Sequence, residues 1–134
     1  MARRALALLM LAAACQSTGP SRLTRVPLGT WGGDESGLIV GETEAHVHIG
    51  CTLGDISGPI PVDARGGFEV EGTYNVDAFP VDRGIRHPAR FTGRTDGRAL
   101  TLSVLLTDNG QAFGPVTLRL GVTPRMRNCP ICGR

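Results

Sequence analysis

Residues 96–106 read Asp96-Gly97-Arg98-Ala99-Leu100-Thr101-Leu102-Ser103-Val104-Leu105-Leu106, and this stretch decides the fold class. Asp-Gly is a strong hairpin signal: glycine takes positive φ without a Cβ penalty, and aspartate hydrogen-bonds its own turn. Beyond it Leu100, Leu102, Val104 and Leu106 recur at every second residue, the period of a strand with one face in a core. No window of the chain carries the three-and-four spacing of a helical stripe.

Working outward, Asp108-Asn109-Gly110 turns this strand into one centred on Val116, Leu118 and Leu120. Upstream, residues 89–95 are extended, and Phe68, Val70, Gly72 and Tyr74 alternate after the turn Ala64-Arg65-Gly66-Gly67. Residues 75–88, with Pro80, Gly84 and Pro88, form the longest break. Nearer the start, Gly29-Thr30-Trp31-Gly32 and Leu38-Ile39-Val40 are strands joined by the turn cluster Gly33-Asp34-Glu35-Ser36. A third strand is expected over 45–52, with Val47, Ile49 and Cys51 facing inward and His46 and His48 outward. Residues 56–62 read as a weak strand, because Pro59 and Pro61 cannot donate to a ladder. The sum is an all-β antiparallel meander of about seven or eight short strands over residues 28–123. Closure into an up-and-down barrel is favoured over a sandwich, since it removes the exposed edges.

Three short motifs resemble the meander barrels of the avidin and lipocalin kind: Gly29-Thr30-Trp31, Gly72-Thr73-Tyr74 and Arg90-Phe91-Thr92-Gly93-Arg94. The resemblance implies an up-and-down barrel with its tryptophan packed near one end. It does not carry over biotin binding, whose pocket is built from several tryptophans, whereas this chain has only Trp31.

The first residues give an address. Arg3 and Arg4 precede an apolar run from Ala5 to Ala14, the length of a signal-peptide core and about half of a membrane span. Leu11-Ala12-Ala13-Ala14-Cys15 resembles the lipobox of bacterial lipoproteins, in which the cysteine thiol receives a diacylglycerol and heads the mature chain. The resemblance implies lipidation of Cys15 and membrane attachment in the cell envelope, with Gln16 in second place favouring the outer membrane. Ala12-x-Ala14 also fits an ordinary secretory cleavage site, so a soluble secreted or periplasmic protein is the alternative. Residues 1–14 are thus a signal peptide, 15–27 a flexible tether, 28–123 the barrel and 124–134 a cysteine-bearing tail.

All fourteen basic residues are arginine, which excludes lysine nucleophiles and Schiff-base chemistry. Without Arg3 and Arg4 the formal charge falls from +2 to about zero, and composition alone gives no reason to expect nucleic acid or an anionic membrane surface as partner. No G-x-S-x-G elbow or phosphate-binding glycine loop is present, and Asp34 with Glu35 reads as a solvated turn rather than an acid/base pair.

Two sets of residues invite chemistry. His46 and His48 leave one face of a strand with Cα atoms about 6.6 Å apart, a spacing that can converge on zinc or copper. His46-Val47-His48 resembles the H-V-H of copper/zinc superoxide dismutases, and His87 is the one further histidine that could complete a site. The bland alternative is two polar residues on a solvated strand face, with no cofactor. Cys129-Pro130-Ile131-Cys132 has the spacing of a thiol redox pair or half a zinc ribbon. In an oxidising compartment the plain reading is structural: a disulfide from Cys51, favoured to Cys129 as the cysteine nearer the last strand, then to Cys132, with a Cys129–Cys132 ring third. The expectation from all of this is a non-catalytic envelope lipoprotein that binds a small ligand or an envelope protein, or is structural. Metal binding through His46, His48 and His87, or thiol redox chemistry at Cys129 and Cys132, are the alternatives.

Overall fold

The computed structural model describes residues 22–129. Eight antiparallel strands follow in chain order: β1 (Gly29–Gly33), β2 (Ser36–Val40), β3 (Glu44–Ile49), β4 (Thr52–Ser57), β5 (Gly67–Asn75), β6 (His87–Thr95), β7 (Ala99–Leu106) and β8 (Ala112–Leu120). Each pairs with the next, and β8 returns to β1 through Trp31 opposite Leu120 and Gly32 opposite Arg119, closing the barrel. The expected meander and its closure are both present, and the described residues hold no helix.

β7 has the alternation the sequence carries: Leu100, Leu102, Val104 and Leu106 are buried while Thr101 and Leu105 face out. The same parity runs round the barrel, so Trp31, Leu38, Val47, Tyr74, Phe91 and Leu118 fill the interior at no more than 1 % exposure. An eight-stranded barrel is just wide enough for side chains to fill. Large and small residues alternate across it. Gly54 lies opposite both Val47 and Tyr74, and a Cβ there would stand 2.6 Å from Tyr74 Cδ2 and 2.9 Å from the Phe91 ring, so glycine makes room for the two aromatics. The Tyr74 ring packs 5.0 Å from that of Phe113 and 6.1 Å from that of Phe91.

The folded body differs from the sequence expectation in three places. Residues 45–52 are not one strand: Gly50, with φ +57, turns the chain at Gly50-Cys51, so Cys51 sits in a hairpin turn and not on the core face. The strand expected over 56–62 belongs mostly to the connection after β4, which ends before both prolines. The body also begins earlier than residue 28. Val26 N–H donates to Ile60 O (2.8 Å), Val62 N–H donates to Thr24 O (3.1 Å), and Val26 and Ile60 are both buried in the core. Residues 24–27 therefore belong to the barrel rather than to a tether. A single buried valine among polar and basic residues has no period to reveal it. Residues 15–21, Cys15 among them, lie outside the described residues.

Strand direction sorts the connections into two ends. The entering segment, the β2–β3 turn, the β4–β5 connection and the Asp96-Gly97-Arg98 turn share one, here called the near end, where Arg25 of the entering segment pairs with Glu42 of the β2–β3 turn. The β1–β2 and β3–β4 turns, the 76–86 loop and the β7–β8 turn share the far end.

Candidate functional site

His46 and His48 project from the outer face of β3 because Val47 between them is fully buried. His46 Nδ1 lies 2.6 Å from Oδ1 of Asp55, its cross-strand partner on β4. A carboxylate only accepts, so Nδ1 carries the proton in that contact. The two imidazoles meet edge-to-face with centroids 4.6 Å apart. Partial burial holds His48 below the usual histidine range, and the neighbouring His46 acts in the same sense while Asp55 opposes.

His87 does not join them. It opens β6 on the inward-facing parity opposite Tyr74, and its Nδ1 contacts Asp108 Oδ2 at 2.7 Å. Three strand spacings separate β6 from β3, about 14 Å around the wall. Among the described residues no group of three His, Cys, Asp or Glu is placed to hold a metal ion. The structure brings two of the three proposed ligands together and gives the third another partner.

The far end is built from the C-terminal tail. Cys51 and Cys129 are disulfide-bonded, with Cα atoms 5.2 Å apart and a sequence separation of 78. Cys132 lies outside the described residues. Before the bridge the tail crosses the β1–β2 hairpin. Arg125 N–H donates to Gly33 O (3.1 Å) and Glu35 N–H donates to Arg125 O (2.9 Å). Gly37 leaves room for the crossing, since a Cβ there would lie 2.6 Å from Pro124 Cγ.

Asp34 and Glu35 are not merely solvated turn residues. Glu35 Oε1 accepts from the Arg127 amide (2.9 Å) and Oε2 from that of Asn128 (3.3 Å), while Arg127 Nη2 pairs with Asp34 Oδ1 at 2.6 Å. The Arg127 amide is the main reason the Glu35 carboxyl sits below its usual range; the Asn128 amide and Arg127 guanidinium add to it, and partial desolvation opposes. The clamp was hidden because its partners are separated by more than ninety residues in sequence. Its only local trace was an acidic pair in a tight turn and two arginines ahead of Cys129.

Inside the barrel the sole tyrosine is the most conspicuous polar group. The Tyr74 hydroxyl lies 2.7 Å from Thr52 Oγ1, and burial pushes its pKa up to about 12. At neutral pH it is therefore a hydrogen-bonding group and not a base. On the outside, Asn75 is fully buried beneath the 76–86 loop: its Nδ2 donates to Asp82 Oδ1 (2.8 Å) and its Oδ1 accepts from Asp77 N–H (2.9 Å). So anchored, the loop exposes Phe79, Val81 and Ile85 to solvent.

No protein family, characterised protein or solved structure matches the chain when it is compared with known proteins.

Proposed function

We propose that this protein is a non-catalytic lipoprotein of the bacterial cell envelope, attached to the outer membrane by a lipid on Cys15, whose barrel works through its outer surface. The observation that carries the surface reading is the filled interior. Trp31, Tyr74, Phe91 and the leucines of β7 occupy the space where other eight-stranded barrels hold a small ligand. Two further observations support the setting. The Cys51–Cys129 bond suits an oxidising compartment such as the envelope, and the 76–86 loop offers Phe79, Val81 and Ile85 to a protein partner at the far end.

Intact mass of the protein from its native host, before and after reduction, tests the address. The expected species begins at Cys15, carries a diacylglyceryl group and contains one disulfide. An unmodified soluble chain with two disulfides would overturn the anchor and replace it with secretion.

A further inference from the structure

Composition makes the chain nearly neutral once its leader is removed, but the fold does not spread the charge evenly. Arg22, Leu23, Arg65 and Arg94 line one near-end groove of about 520 Å³, and the Leu23 side chain lies against Gly97, which brings the Arg98 turn beside it. All four arginines are exposed. Among the described residues none of the four has a carboxylate within ion-pair distance, whereas Arg25, Arg86 and Arg90 each have one and Arg127 has two.

Two carboxylates share the groove, and both are engaged by backbone. Asp63 Oδ1 accepts from the amides of Arg65 (2.8 Å) and Gly67 (2.9 Å), and Asp96 Oδ1 from those of Arg98 and Ala99 (both 2.8 Å). Both aspartates stay exposed, but each turn engages its carboxylate with backbone amides, and the four guanidinium groups outnumber them around the groove. Position adds a second constraint. Arg22 follows Cys15 by seven residues, a link of at most about 25 Å. The chain enters the barrel at the near end, so that end is the one closest along the chain to a bilayer holding Cys15.

The geometry points to the near-end rim as a docking surface for anionic phospholipid headgroups, with Arg22, Arg65, Arg94 and Arg98 contacting their phosphates. This rests on the lipid-anchor reading for the nearness of the bilayer, and it adds an orientation: near end on the membrane, apolar 76–86 loop facing away. Guanidinium groups suit phosphate because they present paired donors in one plane.

Every strand, Cys51 and Cys129 lie within residues 22–129, so a chain begun at Gln16 keeps the whole barrel and carries no acyl group. Its co-sedimentation is measured with vesicles of phosphatidylcholine alone and of equal parts phosphatidylcholine and phosphatidylglycerol. Binding to the anionic vesicles alone is expected, weakening as salt rises. Arg65→Gln with Arg94→Gln should reduce it about 30-fold, at about fivefold per arginine, while Arg65→Lys with Arg94→Lys retains most of it. Trp31 fluorescence and the intact disulfide report that the variants fold.

Equal binding to both vesicles, no binding to either, or an unchanged glutamine pair would overturn the rim, as would a lysine pair as weak as the glutamine pair. Because Cys15 is absent from this chain, those results leave the anchor to the mass measurement. Conversely, a host protein without diacylglycerol leaves the vesicle result standing.

Discussion

The two ends of the barrel are closed by different physics. At the near end the entering chain is held by two backbone hydrogen bonds and by burying Val26 against Ile60, contacts that form only when the barrel itself has formed. At the far end the tail is tied covalently through Cys51 and Cys129, with the Glu35 clamp laid over the same crossing. A covalent tie acts chiefly on the unfolded chain, by removing conformations it could otherwise visit. An apolar plug acts on the folded state, through area taken from water and close packing. The near end is thereby a product of folding, and the far end a constraint on it.

The contrast can be broken from either side. Replacing both bridge cysteines, Cys51→Ala with Cys129→Ala, should lower the unfolding free energy in urea by roughly 4 kcal/mol, the entropic estimate for a loop this long. A loss well below that would mean that the hydrogen-bonded tail already holds the far end. Ile60→Ala comes next, at about 3 kcal/mol, since a large aliphatic is cut back in a filled core. If it costs less than 1 kcal/mol, the near-end plug is a loose flap and the comparison fails on that side.

The smallest effect belongs to Glu35. Its folded-state pKa is depressed, so its contribution to tail docking is complete above the ordinary glutamate range and is lost as pH falls through the lower folded value. An NMR pH titration should show the Arg127 and Asn128 amides shifting together with a midpoint below that range, and Glu35→Ala should abolish the transition. A midpoint at the ordinary value would show that the clamp does not form in solution.

How far the sequence could be read depended on the range over which each feature is encoded. β7 was legible because Leu100, Leu102, Val104 and Leu106 state their burial within a few residues, and the Asp96-Gly97 and Asp108-Asn109-Gly110 turns bound the strand on both sides. The β3–β4 turn was not. Gly50-Cys51 sits between runs that both look extended, and a two-residue reversal leaves little mark on a period of two. Of the candidate sites, the Cys51–Cys129 pairing was among the alternatives open from the sequence. The histidine set was only half legible: spacing places His46 beside His48, whereas His87 depends on which strands become neighbours.

By itself, then, the sequence determined the all-β meander, the inward parity of its strands and the exclusion of lysine chemistry, since each is written in residue type or in a two-residue period. Tertiary structure alone decided that Val26 belongs to the core, that Glu35 grips a tail far along the chain and that four arginines gather at one rim. Those outcomes depend on closure. Only when β8 meets β1 do residues remote in sequence come within reach of one another, and only then do Arg22, Arg65, Arg94 and Arg98 line one rim.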